Sequence, residues 1–513
     1  MIIITEDADA KPTSRSLQDR DDAASQFVNG PYFGSVQDDS SAQSPRTSPH
    51  TFKYTSSYHT TPPLPPPPPS YPGHPVPSAP TQAAVPHPSL LRPNPRPPGP
   101  LSESSAKRFW KAFAIAFLIY LAFLTLIRSM ASGIHWGDGS VGIPRAEDGR
   151  ILESIGSLNW TTYQARPRWA SSFSESAETS FTLPTTSESL YFISRGSYQS
   201  GKVEVRQSTT ERGGSVKVDV RVAYHDERAL ARATVCRLRK SGNKHGVGIY
   251  TPIPGRPNAR DRLYFQVILT FPAAPSERSP LRIHELKTHA SNFAHEMGDL
   301  WQSLLFDNLE LDAPNAPIQA HSVTLTRGSL TSSNGAIVGH FNTSDALILR
   351  TSNAHIRVTA SLFNTARDAT KLDMRTSNGQ ITSSVSLTTA SGSGGNFVVT
   401  ARSSNGGIKL QYNDAPMGAR LVSDARTSNA AAEVAMHPAY EGTYEVSTSN
   451  AQPIVRDTRP ADPEGRGRRR VVDQTASRGI VSGRVYWVRE DGMRRVEGVS
   501  TVHTSNARAS LDL

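Results

Sequence analysis

Met374-Arg375-Thr376-Ser377-Asn378-Gly379-Gln380-Ile381 decides how this chain folds, because the phrase at its centre is written seven times in the last third of the sequence. The Ser/Thr-Ser-Asn-Gly/Ala phrase recurs around Asn334, Asn353, Asn405, Asn429, Asn450 and Asn506. Successive asparagines stand 19, 25, 27, 24, 21 and 56 residues apart. A worn copy, Thr475-Ala476-Ser477-Arg478-Gly479, divides the last gap into 28 and 28. Another, Pro314-Asn315-Ala316, lies 19 residues before the first full copy. A period of about 20–28 residues marks a quasi-one-dimensional stack of repeats.

Working outward, the apolar residues alternate. Leu330, Leu349, Met374, Ala401, Ala425, Val446 and Val502 stand four positions before each asparagine. Ile337, Ile356, Ile381, Ile408, Ala432, Pro453 and Ala509 stand three after it. Period-two flanks rich in β-branched residues predict a strand on each side of a turn. Asn tolerates left-handed backbone and Gly or Ala crowds least, so Ser-Asn-Gly/Ala is the corner. With Asn at the same place in every corner, stacked coils can align buried amides into a hydrogen-bonded ladder. The fold expected is all-β, a repeat β-solenoid or β-helix over 311–513, with its asparagines as scaffold rather than ligands. Asn378-Gly379 and Asn405-Gly406 also suit hairpin turns in a sandwich. The Ser/Thr shared by every copy favours the ladder, since a plain hairpin does not require it.

On these copies the chain resembles the putative-adhesin family, whose Ser-Asn-Gly coils imply a right-handed β-solenoid. With one membrane helix and a Pro-rich tail ahead of the coils, it is similar to uncharacterised fungal single-pass membrane proteins. The resemblance covers about residues 185–513 and implies a fold and a surface-binding role, but no activity.

The remaining organisation follows composition. Of 38 prolines, 22 fall before residue 101, and residues 1–105 read as a disordered Pro-rich tail. Then Lys107-Arg108-Phe109-Trp110-Lys111 precedes a charge-free run from Ala112 to Ile127, ten of whose sixteen residues are Leu, Ile or Phe. That run favours insertion by roughly 3–6 kcal/mol. It spans about 24 Å as a helix. Snorkelling of Arg128 extends the span toward Ile134, so a transmembrane helix is expected over 109–131. Trp110 and Trp136 would mark its two interfaces. Arg92, Arg96, Lys107, Arg108 and Lys111 before the span outnumber Arg128 and Arg145 after it. The positive-inside rule therefore puts the N-terminus in the cytosol and the repeats outside or in the secretory lumen. Both glycosylation sequons, at Asn159 and Asn342, lie on the far side. Residues 132–184 read as a Ser/Thr-rich stalk. Residues 185–310 read as a β-rich cap, from the alternating Val216, Val218, Val220 and Val222 and the run Tyr264 to Phe271, with one short helix over Glu296 to Leu305.

Chemistry is sparse. Cys236 is the only cysteine, which excludes a disulfide framework; it reads as core, with an intermolecular disulfide as the alternative. The net charge of +10 is spread along the chain and points to acidic polysaccharide or anionic surfaces rather than nucleic acid. Pro68, Pro69 and Tyr71 match the Pro-Pro-x-Tyr ligand of WW domains, at the end of a polyproline rod that also suits other proline-binding grooves. By resemblance, such ligands recruit ubiquitin ligases. Arg468, Arg469 and Arg470 offer either a dibasic processing site or a solvated insertion. His284, His289 and His295 are spaced five and six apart, which fits no metal-binding face, and no cofactor is expected. Asp345, Asp373, Asp424 and His340 show no shared phase. The expectation is a non-enzymatic protein that binds surface or wall components. A lumenal carbohydrate-active enzyme and a sorting adaptor acting through the tail are the alternatives. A phase-locked Asp/His/Arg cluster on adjacent coils would favour the enzyme, and a flat Ser/Thr/Asn face without acids would favour binding.

Overall fold

The computed structural model describes residues 142–513 apart from 157–158, 164–165, 256–257, 275, 277–278, 366–367 and 489–497. The Pro-rich tail with Pro68, Pro69 and Tyr71, and the span expected over 109–131, lie outside the described residues. Among the described residues no helix is long and apolar enough to cross a membrane. What is described is all-β, apart from the helix Glu227–Arg232 and three short 3-10 turns.

Two columns of apolar side chains carry the stack. Leu330, Leu349, Met374, Ala401, Ala425, Val502 and Val446 pair in that order across parallel strands. Ile337, Ile356, Ile381, Ile408, Ala432 and Ala509 do the same across the corner. None of them is more than 2 % exposed. Period-two alternation sends each inward while its neighbours face solvent. Each coil therefore lays two strands, one in each of two parallel sheets that share a core. Burial of a large aliphatic side chain contributes about 1.5–3 kcal/mol, so stacking stabilises coils that no single turn would hold.

Unequal repeat lengths are absorbed away from the corner. The 19-residue coils use one continuous strand, Ile318–Thr331 and then Ile337–Arg350, which slips register near Val323 and Arg327 and so bends between sheets. Longer coils break that strand into two, as in Ile356–Asn364 followed by Thr370–Arg375. Extra residues lie between those two strands, and in two successive coils they still meet, the Gly394 N–H donating to the Met417 carbonyl at 2.8 Å.

Before the full motifs begin, parallel pairing already joins Lys244–Thr251, Ser189–Gly196 and Leu281–Ala290 in one sheet. Leu263–Phe271, Gln199–Gln207 and Phe293–Asp299 pair in the other. Antiparallel strands close this end: Glu175–Pro184 on Ser215–Tyr224 on Leu263–Phe271, and Arg150–Ile155 on Thr234–Lys240. Part of the expected stalk thus enters the cap, because Ala177, Phe181 and Leu183 alternate inward beneath an otherwise Ser/Thr-rich surface. The helix expected over Glu296 to Leu305 is absent. His295 and Met297 are buried with Glu296 between them facing out, a strand period, and the chain turns at Leu300 into Leu304–Asp312.

At the other end sequence order and spatial order part. The strand Gly498–Thr504 lies between Arg420–Thr427 and Gly442–Thr448, parallel to both. Ala509–Asp512 likewise lies between Ala432–Ala435 and Ile454–Arg456. Residues 498–513 are therefore the penultimate coil, threaded between two coils that are consecutive in sequence. The worn copy at Thr475–Gly479 is no coil corner. It is the turn of an antiparallel hairpin, Arg470–Ser477 with Ile480–Trp487, that pairs against Gly442–Thr448. Gly479 sits at φ 75° there, a backbone that favours glycine.

Candidate binding ridge

Each corner is built from two hydrogen-bond ladders. The inner one uses the Ser/Thr two positions before each asparagine. Thr376 Oγ1 donates to the Ala354 carbonyl of the preceding coil at 3.1 Å and accepts the Gly379 N–H of its own corner at 3.1 Å. Ser332, Thr351, Ser403, Thr427, Thr504 and Thr448 make the same cross-coil donation at 2.9–3.3 Å. A hydroxyl that both donates and accepts satisfies the turn locally and ties it to the neighbouring coil.

The outer ladder is made of asparagine amides. Nδ2 of Asn334 donates to Asn315, Asn353 to Asn334, Asn378 to Asn353, Asn405 to Asn378 and Asn429 to Asn405, at 2.7–3.0 Å. It continues from Asn506 to Asn429 and from Asn450 to Asn506, each at 2.6 Å. Asn315 donates in turn to Asn292 at 3.0 Å, a rung that motif reading misses because Phe293 stands where Gly or Ala is expected. These amides are exposed rather than buried as expected, and the hydroxyls behind them are the buried members, Ser403 alone being half-buried. The last rung closes the stack. The Thr448 N–H is taken by the Gly479 carbonyl of the hairpin at 2.9 Å, and Pro453 has no N–H where inner coils use one.

Beside the amides runs a column of charge. Arg350, Arg375, Arg402 and Arg426 stand three positions before their asparagines and are paired coil to coil, so about 4.8 Å separates each from the next. Their side chains are about half exposed. Asp373 and Asp424, five positions before their asparagines, occupy one column two coils apart with Thr400 between them. They therefore do share a phase, unlike the sequence expectation, whereas Asp345 sits in another column and pairs with Arg327. Asp373 binds Arg375 at 2.9 Å and approaches Arg350 at 3.9 Å. Asp424 binds Arg402 at 2.8 Å and Arg426 at 2.6 Å. His340 is elsewhere, its Nδ1 2.8 Å from the His321 carbonyl oxygen.

The other expected sites are dispersed. Arg468 and Arg470 have side chains only 9 % and 6 % exposed and lie over the Trp487 ring. The Asp462 carboxylate accepts the N–H groups of Glu464, Arg466 and Arg468. The Arg468 guanidinium bonded to it holds that carboxyl well below the usual carboxylate range, and burial pushes Arg470 down. Only Arg469 of the trio is exposed, a poor presentation to a protease. Asn159 is exposed, whereas Asn342 is half-buried within a strand and its neighbour Thr343 is buried. Cys236 is fully buried and its thiol is pushed up by that burial. His284 and His289 pair with Asp307 and Asp312. His295 is buried against Thr288 and the Phe293 carbonyl, with its pKa pushed down to about 4 by burial. Among the described residues no His, Cys, Asp and Glu group could hold a metal ion.

No family model matches this chain, and no curated protein does. Among solved structures it is similar to a putative adhesin from Bacteroides fragilis, 11% identical over 50% of this chain and 95% of that one, with a TM-score of 0.27. It is similar also to a putative adhesin from Parabacteroides merdae, 12% identical over 50% and 95%, TM-score 0.24. A putative cell adhesion protein from Clostridium sporogenes is 8% identical over 65% and 98%, TM-score 0.13. These three are bacterial, and at such TM-scores the solenoid rests on its own strand register.

Proposed function

We propose that this chain is a non-enzymatic, single-pass type II membrane protein of the cell surface or secretory pathway. Its β-solenoid stands outside the cytosol and binds surface or wall components in an adhesin-like way. The observation that carries this reading is the ridge, which repeats Arg, Ser and Asn side chains outward at one coil spacing. A regular array of weak exposed contacts suits a repetitive partner, because many sites engage together and avidity exceeds any single contact. The charge asymmetry around 109–131 and the far-side sequon at Asn159 support the orientation.

The register of Asp373 and Asp424 favours a second reading, a carbohydrate-active enzyme, since two carboxylates on one face are what glycoside hydrolysis uses. Against it, both carboxylates are occupied as acceptors of arginines. The deciding experiment presents the full chain to a glycan array and to isolated cell walls, scored for retention and for cleavage. Retention of intact glycan is expected. Release of shortened glycan would replace the binding reading with the enzyme.

A further inference from the structure

We infer that the Arg350, Arg375, Arg402 and Arg426 column is the docking line for an acidic polysaccharide whose chain runs along the solenoid axis, a proposal that deepens the surface-binding reading and rests on it. Four like charges stacked directly opposite one another in a parallel sheet repel, and only two carboxylates, Asp373 and Asp424, lie among them. The column keeps two positive charges in excess. Only Nε of Arg375 and of Arg426 bonds its carboxylate, which leaves the outer N–H fork of each off that carboxylate, on a side chain about half exposed. A guanidinium fork matches a carboxylate bidentately, which a lysine cannot do. All four positions hold arginine.

Spacing and surroundings choose the partner. A line of guanidiniums one residue wide, advancing one coil at a time, fits a linear chain with one acid per sugar. A uronate advances by about one strand spacing per residue. The exposed hydroxyls of Ser352, Ser377, Ser404 and Ser428 and the amides of Asn353, Asn378, Asn405 and Asn429 flank that line. They supply the donors and acceptors that sugar hydroxyls need. A nucleic acid strand would call for aromatic platforms, and among the described residues the exposed aromatics Tyr163, Tyr198, Trp301 and Phe363 lie off the ridge. A lipid surface would call for exposed apolar side chains beside the cations, and the Ser and Asn columns provide none.

The test measures binding of the full chain to immobilised polygalacturonate, with amylose as the neutral chain and phosphatidylserine vesicles as a second polyanion. One variant carries R350Q, R375Q, R402Q and R426Q; another carries Lys at the same four positions. A control removes four exposed cap charges instead, R212Q, R228Q, R239Q and R260Q. Circular dichroism and the melting temperature verify folding of each. The parent should bind polygalacturonate more weakly as salt rises, and amylose not at all. The Gln variant should lose about tenfold or more, the combined effect of four exposed ion pairs. The Lys variant should fall between, and the cap control should match the parent. Equal losses in the ridge variant and the cap control would overturn the docking line, leaving only general charge. Ridge-dependent capture by vesicles without polygalacturonate binding would overturn it too. Retention on cell walls or neutral glycans but not on polygalacturonate would overturn the acidic partner and leave the surface-binding reading standing. Retention on no polysaccharide and no wall would end both.

Discussion

Replacing Thr376 by Val should destabilise the solenoid more than replacing Asn378 by Ala, although the asparagine is the more conspicuous letter of the motif. The Asn378 side chain makes two bonds; the Thr376 hydroxyl makes two short ones and a longer contact to the Ser352 carbonyl at 3.4 Å. Asn378 donates to Asn353 at 2.8 Å and accepts from Asn405 at 2.7 Å, but all three amides are exposed. Water takes over when the rung is removed, so Asn378→Ala should cost about 1–2 kcal/mol. The Thr376 hydroxyl is the partner of the buried Gly379 N–H and of the Ala354 carbonyl, and Thr376 is 7 % exposed. Valine keeps the volume and strands both groups, each at a desolvation cost of about 1–3 kcal/mol. Thr376→Val should therefore lose about 2–6 kcal/mol, while Thr376→Ser should lose little, since Ser332 and Ser403 fill that place in other coils. Urea denaturation of the full chain followed by tryptophan fluorescence ranks the three. An Asn378→Ala loss equal to or above that of Thr376→Val would refute the division of labour between the ladders.

Other expectations are more direct. His295 is held neutral by burial, with a folded pKa of about 4 against 6.5 for the free side chain. Below about 6.5 the unfolded chain takes up a proton that the folded chain refuses, so stability should fall as pH drops from 6.5 to 4, by about 3 kcal/mol. His295→Gln should flatten that slope in melts across the range, and an unchanged slope would count against it. Deletion of residues 498–513 should leave the strands Arg420–Thr427 and Gly442–Thr448 two spacings apart, about 10 Å. Amide protection should then vanish from residue 437 onward while persisting in the coils before it; protection retained there would contradict the threaded coil. In the folded chain, trypsin should spare the bonds after Arg468 and Arg470, whose side chains are buried, and early cleavage there would contradict that packing.

What the sequence made legible was local and periodic. Seven asparagines, and the apolar residues four before and three after them, sufficed for the parallel two-sheet stack, because strand alternation and turn chemistry are nearest-neighbour effects. The inner hydroxyl ladder was visible as a shared Ser/Thr, though not which partner was buried, because the sense of a corner is set by the backbone. The threaded coil was not legible. Val502, Asn506 and Ala509 fit a last coil as well as a penultimate one, and only pairing on both faces of Gly498–Thr504 decides. Phe293 hid the rung at Asn292, and Ser/Thr dilution hid the strand Glu175–Pro184. The arginine column was written beside the motif, yet its meaning appears only once the coils are in register.

The amide ladder runs from Asn429 through Asn506 to Asn450 only if residues 498–513 form the penultimate coil, and paired cysteines read that order directly. Ser428 and Ser505 sit on adjacent coils, since Asn506 N–H donates to the Ser428 carbonyl at 2.9 Å. Their Cα atoms are about 5 Å apart, within disulfide reach. Ser428 and Ser449 are separated by the intervening coil at about 10 Å, beyond that reach. With Cys236 buried as the only native thiol, oxidation of Ser428→Cys/Ser505→Cys should give a cross-link, and Ser428→Cys/Ser449→Cys should not. The reverse result would mean that the coils follow sequence order and that the threaded solenoid is wrong.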